Sequence, residues 1–311
     1  ACEPGVPRTC NNTAAGDVVD GCGAASDGGT GALPGTPDAG AVPGGSVGPG
    51  GGSVERLWFA TTGDTRPSQC DATDQYPKAA IAQIAAAMKA LRVQFTVDLG
   101  DHMYVCNHSD AEAAQQMGFY MDAVAQGPSA WWMTMGNHEC GNNTWPYSCF
   151  VSGPHDANFA AFMSALQRPQ PYYFNDVQTS LGKARFVIVA DDSWDGTQAD
   201  WLASTLADAD AHAKYTIVAR HHPVQGTRTG AASILSILQQ HKQTLILTAH
   251  NHDYEHDLSS WGGRSAVVGL GGAGGHWGFG TVLQNTDGTL TFVERDANGN
   301  PLGAPWTVSP Q

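Results

Sequence analysis

Val93-Gln94-Phe95-Thr96-Val97-Asp98-Leu99-Gly100-Asp101-His102-Met103-Tyr104 is a short apolar run that breaks at a glycine into a polar cluster. An apolar block bounded by a turn signal predicts a buried strand, here over Val93–Leu99. Asp101, His102 and Tyr104 then stand just beyond its carboxyl end.

The same pattern recurs along the chain. Arg56–Thr62 is an apolar block ending at Gly63-Asp64-Thr65-Arg66, and Ala130–Met135 ends at Gly136-Asn137-His138-Glu139. Tyr215–Ala219 leads to His221-His222-Pro223, and Thr244–Thr248 to His250-Asn251-His252. Ala184–Ala190 is a further strand, and Arg264–Leu270, Gly280–Gln284 and Leu290–Glu294 are late ones. Asn285-Thr286-Asp287-Gly288 between the last two is a hairpin signal. Helices are predicted over Tyr76–Leu91, where Ile81, Ile84 and Met88 keep helical spacing, and over Ala111–Ala125, Gln198–Leu206 and Ser233–Gln240. This alternation predicts a layered α/β domain with mixed sheets. In such sheets ligands bind outside the carboxyl ends of the strands, so all five polar clusters converge on one edge.

The first 53 residues differ. They hold 15 Gly, 6 Pro and no aromatic residue. Such a composition buries too little apolar surface to offset the entropy of ordering. Residues 1–53 are therefore expected to be a flexible tether and 54–311 one folded domain. Gly44-Gly45-Ser46-Val47-Gly48 matches a nucleophile-elbow pattern, but no strand precedes it and no helix follows. Gly269-Leu270-Gly271-Gly272-Ala273-Gly274 matches a dinucleotide fingerprint, but the glycine-rich residues after it cannot open the helix that a pyrophosphate needs.

With 15 Lys+Arg against 29 Asp+Glu the net charge is −14. No basic patch is present for a nucleic-acid backbone. No apolar run is long enough to cross a bilayer. Seven cysteines fit an oxidising compartment. Cys140 and Cys149 flank one short loop that a bridge can close. Cys70 and Cys106 each follow a strand end, so they can pair if those strands are neighbours. Cys2, Cys10 and Cys22 lie in the tether. No signal peptide is visible, and the expectation is a mature exported chain that is secreted, periplasmic or held at the cell surface, with Cys2 a candidate for lipid anchoring.

The five clusters supply Asp, Asn, Tyr and His donors without a thiolate group. That set suits Fe, Zn or Mn rather than a structural zinc knot. In His250-Asn251-His252, an extended backbone sends the two rings to opposite sides, one for each of two adjacent metals.

The order of blocks, Asp … GD … GNH[D/E] … H … HxH, resembles the signature of the calcineurin-like metallophosphoesterases, from Asp64 to His252. Gln198-Ala199-Asp200-Trp201-Leu202 is similar to a Q-x-x-W-L helix of these enzymes. The expected fold is an α/β/β/α-type sandwich of two mixed β-sheets flanked by helices. The commonest form of the family carries D-x-H in its first block; here Thr65-Arg66 follow Asp64. The purple acid phosphatases also lack that His and use a Tyr three residues after the second-block Asp, the spacing of Asp101 and Tyr104. The chain therefore resembles that subgroup. Their usual substrate-side His has no counterpart between Pro223 and Ala231, and Gln225, Arg228 or His276 are candidates to replace it.

Carried over by position, the resemblance implies one metal held by Asp64, Asp101, Tyr104 and His252. The second is held by Asp101, Asn137, His221 and His250, with Asp101 bridging. His221 is chosen over His222 because Pro223 sets the H-x-P register. The implied cofactors are two metal ions per chain, Fe3+ at the Tyr104 site and Fe2+, Zn2+ or Mn2+ at the other. The implied reaction is hydrolysis of small phosphorylated substrates, phosphomonoesters preferred, by metal-activated hydroxide. Catalytic roles fall to Asp101 and to His138, which faces the phosphoryl group; Glu139 or Asp98 can orient that imidazole, or either is instead a turn or core polar residue. Arg66 is a candidate phosphate clamp. Trp145, Tyr147, Tyr172 and Tyr173 either line the mouth of the site or pack locally. Phosphodiesterase or nucleotidase activity on the same site stays open, as does an inactive metal-binding surface module. The sequence carries no sign of oligomeric state.

Overall fold

The computed structural model describes residues 43–140, 157–223, 230–257, 266–268 and 277–311. Two mixed sheets lie face to face. In chain order the strands are β1 (Gly45–Gly48), β2 (Gly51–Val54), β3 (Trp58–Thr62), β4 (Phe95–Asp98), β5 (Trp131–Met133), β6 (Tyr173–Thr179) and β7 (Gly182–Ile188). They continue as β8 (Tyr215–Ala219), β9 (Leu245–Thr248), β10 (Glu255–Asp257), β11 (Ala266–Val268), β12 (Gly278–Gln284), β13 (Leu290–Asp296) and β14 (Pro301–Val308). The helices are α1 (Lys78–Ala90), α2 (Asp110–Val124), α3 (Ala157–Leu166), α4 (Gly196–His212) and α5 (Ala231–Leu238). One sheet has the order β1-β2-β6-β7-β8-β9-β11-β10, the other β14-β13-β12-β3-β4-β5.

Strands β3, β4 and β5 pair in parallel, as do β7, β8 and β9. Each is covered on both faces, which is why these strands read as unbroken apolar runs. Between the sheets, Phe95 packs against Trp132 and Phe186 with ring centroids 4.4 and 5.2 Å apart. Burying a side chain of this kind stabilises by about 1.5–3 kcal/mol. On the outer faces, Ile84 and Met88 of α1 meet Trp58 and Ala60, while Leu202 and Leu206 of α4 and Ile234 of α5 meet Val187 and Val218. Ser109 caps α2 by accepting the Glu112 N–H at 3.3 Å, and Asp195 caps α4 by accepting the Gln198 N–H at 2.7 Å. The α/β/β/α layering is the expected one. Among the described residues no helix is long and apolar enough to cross a membrane.

The tether boundary needs correction. Residues 45–54 form a hairpin, and β2 pairs in parallel with β6, so the sheet begins well before Ser53. Val47 and Val54 of this hairpin are buried. Here the glycines serve close backbone pairing rather than looseness. Gly51 has φ +108°, and a Cβ there would stand 2.1 Å from the Asp176 carbonyl oxygen. Ser46 sits in strand β1, which removes the nucleophile-elbow reading. Residues 1–42 lie outside the described residues, as does the dinucleotide-like stretch Gly269–Gly274.

Five strands escaped the sequence reading: β1 and β2 of the hairpin, β6, β10 and β14. In β6 the inward positions are Tyr173, Asn175, Val177 and Thr179 while Phe174 faces out, so its apolar alternation is scrambled. β14 is an edge strand with Pro301 and Pro305, and only Trp306 and Val308 are buried. Helix α4 also runs on to His212, because Ala209 continues the buried stripe of Leu202, Thr205 and Leu206.

Candidate metal centre

Parallel β3, β4 and β5 bring the first three polar blocks side by side, and parallel β8 and β9 deliver the other two. Backbone bonds lock the loops together. The Asp64 N–H donates to the Gly100 carbonyl at 2.8 Å, and the Arg66 N–H to the Asp101 carbonyl at 2.9 Å. The Ala249 N–H donates to the His221 carbonyl at 2.7 Å, and the His250 N–H to Asp64 Oδ2 at 2.8 Å. Asp64, Asp101, His250 and His252 all adopt left-handed backbone, with φ of 55°, 62°, 77° and 56°. For non-glycine residues that strain costs on the order of 1 kcal/mol each, and it concentrates at functional sites. His250 and His252 are therefore not on an extended strand. Their rings still reach different neighbours, but through a kinked turn.

The donor atoms form two abutting groups. Asp64, Asp101 and His252 place one ligand atom each within 4.8 Å of one another, and so do His221, His222 and His250. Asn137 Oδ1 lies 3.1 Å from His221 Nε2 and 2.9 Å from His250 Nδ1. Asp101 belongs to the first group, and its Oδ2 also approaches the second. That oxygen is 3.4 Å from His221 Nε2, 3.7 Å from His138 Nε2 and 3.5 Å from Arg66 Nε. Asp64 Oδ1 and Asp101 Oδ2 are buried and accept no hydrogen bond. Two orphaned carboxylate oxygens facing imidazole nitrogens are what a cation site requires and what a packed polar core avoids.

Titration behaviour agrees. His221 Nδ1 lies 2.7 Å from the Leu99 carbonyl, which can only accept, so Nδ1 carries the proton and Nε2 faces the cluster. Burial opposes charging His221, but Asp101 and Asp64 outweigh it and raise its pKa to about 10. The negative potential that holds a proton on Nε2 is equally suited to a metal ion. Burial likewise opposes ionising Asp101, yet His221, His138 and Arg66 hold it well below the usual carboxylate range. Burial pushes Asp64 up to about 7. Burial also pushes His138 down to about 4, so that ring is neutral at pH 7.

Tyr104 packs edge-on against His138, with centroids 4.2 Å apart, and the Arg66 guanidinium lies 4.4 Å above the Tyr104 ring. Arg66 is thus drawn into the cluster, its side chain 12% exposed. Of the two readings of Glu139 and Asp98, the structure supports core polar residues and not partners of His138. Glu139 and Asp98 flank His102 instead, at 3.2 Å from Nδ1 and 2.6 Å from Nε2. Burial opposes the His102 cation, but the two carboxylates raise its pKa to about 10. Tyr172 and Tyr173 prove to be local packing: the Tyr172 ring lies tilted against Trp201, centroids 4.8 Å apart, and the buried Tyr173 hydroxyl donates to the Met133 carbonyl at 2.9 Å. Trp145, Tyr147, Gln225, Arg228 and His276 lie outside the described residues.

Sequence reasoning missed a sixth strand end. After β7, Asp191 and Asp192 are buried beside the site. Asp191 Oδ2 accepts from Arg220 Nε at 2.9 Å and from the His222 N–H at 3.0 Å, and Asp192 Oδ2 is 2.7 Å from His222 Nε2. The signal was available, since two acids follow an apolar run there as in the other blocks. The Gln198 side chain spans this turn, accepting from Ala190 N–H and donating to Ala190 and Ser193 carbonyls. Asn158 of α3 was also missed; it donates to the Val105 and His138 carbonyls at 3.0 and 2.9 Å.

A family model described as calcineurin-like phosphoesterase matches residues 57–254, more than half of the chain. The chain belongs to the calcineurin-like phosphoesterase family. The matched segment of this phosphoesterase contains all five polar blocks. No curated protein matches the sequence. Among solved structures, a dimetal phosphatase from Danio rerio superposes with a TM-score of 0.56 at 14% identity, over 82% of this chain and 99% of that one. The purple acid phosphatase from yellow lupin (Lupinus luteus) seeds gives 0.61 at 14% identity, over 83% of this chain and 56% of that one. GAP50, the anchor in the inner membrane complex of Plasmodium, gives 0.59 at 15% identity, over 82% and 89%. At such identities the likeness to these structures is one of fold.

Proposed function

We propose that this phosphoesterase hydrolyses small phosphate esters, phosphomonoesters preferred, at a two-metal site in which Asp101 is the shared ligand. The position of Asp101, a member of one donor group with its Oδ2 3.4 Å from His221 of the other, carries the proposal. Asp64, Tyr104 and His252 complete one ligand set, and Asn137, His221 and His250 the other. Such a pair of cations, when bound, lowers the pKa of a shared water and neutralises phosphate charge. The protein's own contribution is orientation. Leu99 fixes the His221 tautomer, and the left-handed turns aim Asp64, Asp101, His250 and His252 inward. The neutral His138 ring offers one N–H to the phosphoryl group or the leaving oxygen. Arg66, held over Tyr104 and beside Asp101, offers a planar fork to phosphate oxygens.

Tyr104 three residues after Asp101, with Thr65 and Arg66 where the commoner family pattern has His, supports a purple acid phosphatase-like centre with Fe3+ on the Tyr104 side and Fe2+, Zn2+ or Mn2+ on the other. Cys70 and Cys106 form a disulfide with Cα atoms 5.7 Å apart, which favours an oxidising, extracytoplasmic location. It joins the loops after β3 and β4, so the other metal-type grouping, Cys70, Asp71 and Cys106, is a bridged pair rather than a metal site. Cys149, the expected partner of Cys140, lies outside the described residues. The test of the substrate class is a paired assay on p-nitrophenyl phosphate and bis(p-nitrophenyl) phosphate with metal-loaded protein. Faster turnover of the monoester is expected. Hydrolysis of the diester alone would move the assignment to a phosphodiesterase, and hydrolysis of neither would leave a metal-binding module.

A further inference from the structure

The loops bearing Asp101 and Asn137 come from neighbouring strands, and one buried side chain ties them. Glu139 Oε2 accepts the Gly136 N–H at 2.6 Å and the Asp101 N–H at 2.9 Å. Its Oε1 accepts the His102 N–H at 2.6 Å and lies 3.2 Å from His102 Nδ1. The other ring nitrogen of His102 is 2.6 Å from Asp98 Oδ1, and that oxygen also accepts the Gly100 N–H at 2.9 Å. Asp98 Oδ2 accepts from the Tyr120 hydroxyl at 2.6 Å, which in turn accepts from Trp131 Nε1 at 2.7 Å. Tyr76 donates its hydroxyl to the His102 carbonyl at 2.6 Å. Asp98, His102, Tyr120 and Glu139 are fully buried. The loops are pressed together at this point: a Cβ on Gly136 would stand 2.3 Å from Asp101 Oδ1.

We propose that Glu139 and His102 form a positioning pair that fixes the Asp101 loop against the Asn137 loop and so sets the affinity of the site for its ions. Neither side chain reaches the cluster of donor atoms. Glu139 gathers three main-chain N–H groups from both loops onto one carboxylate. His102 holds that carboxylate against Asp98, at the end of β4, so the clamp is anchored in the sheet. A buried carboxylate of this kind persists only with charge-assisted partners on both oxygens. The inference rests on the metal-centre reading above.

The experiment is a zinc titration of metal-stripped protein in competition with a chromophoric chelator, comparing wild type with Glu139→Gln and His102→Asn. Each variant is first shown to be folded by circular dichroism, and is titrated well below its Tm. Glutamine keeps the shape of Glu139 but turns one acceptor oxygen into a donor that faces N–H groups whichever way it lies. Residues that orient metal ligands typically change metal affinity by roughly 10–100-fold when altered. Zinc affinity is expected to fall by about that factor in Glu139→Gln, and in the same direction in His102→Asn. A folded variant that binds two zinc ions with wild-type affinity overturns the proposal. If neither variant folds, hydrogen exchange of the wild type decides. The clamp requires the Asp101, His102 and Gly136 amides to exchange as slowly as those of β4, and fast local opening at these three overturns it. Because the titration reads zinc and not turnover, an inactive wild type would defeat the phosphatase reading while leaving this comparison valid.

Discussion

His221 Nε2 lies 3.4 Å from Asp101 Oδ2, with the far side of the His221 ring bonded to the Leu99 carbonyl. A carboxylate from the end of β4 thus faces an imidazole from the end of β8, across the two sheets. Asp101 also offers an oxygen within 4.8 Å of ligand atoms of Asp64 and His252.

Asp101 is the one residue assigned to both ions. Asp101→Ala is expected to lower occupancy at both positions and to abolish turnover. Elemental analysis of the purified variant checks this, and two retained metals per chain would contradict the shared-ligand role.

His138 sits beside Asp101 but outside the ligand set. His138→Ala is expected to keep both ions while kcat falls by roughly 10²–10⁴-fold, the usual contribution of a positioned acid or base. Metal loss in this variant would make His138 a ligand and shift the register of the third block.

Among the described residues the β1–β2 hairpin is the first element of the sheet. A protein starting at residue 43 is expected to match the full chain in kcat/KM on a small ester. One starting at residue 55 loses buried Val47 and Val54, each contributing about 1.5–3 kcal/mol at most, and uncovers the edge of β6. Its Tm should fall by several degrees or more, by thermal melting. Equal Tm values for the two truncations would show that the hairpin adds nothing to the sheet.

Tyr104 is expected to colour the iron-loaded protein. A free phenol titrates at about 10, and a trivalent ion can displace that proton. Ferric phenolate absorbs visible light, and zinc or Mn(II) at the same place does not. Wild type should show a visible band that Tyr104→Phe loses at equal iron content. A colourless iron-loaded wild type would remove the purple acid phosphatase-like assignment and leave the family intact.

Much of this site was legible because strand burial and chemistry share one boundary. Each of the five apolar runs stops at the residue where the donors begin, so Asp64, Asp101, Asn137, His221 and His250 could be read off strand ends. The left-handed backbone at four of the site residues was not legible, since nothing in Ala249-His250-Asn251-His252 distinguishes a kinked turn from an extended one. The choice between the two readings of Glu139 was closed to the sequence for a related reason. Glu139 is adjacent in sequence, but its side chain turns back to the Gly100–His102 loop, a contact set by the pairing of β4 with β5. The glycine-rich hairpin failed on composition: the criterion counts buried side chains, and this segment is held largely by its backbone.

The most direct test is a metal titration with turnover as the readout. Chelator-stripped protein is reloaded stepwise with Fe, Zn or Mn while p-nitrophenyl phosphate hydrolysis is followed. The stripped protein should be inactive, and activity should rise to a plateau at two equivalents per chain. Full activity without metal, or a plateau at one equivalent, would contradict a two-metal phosphoesterase built on Asp101.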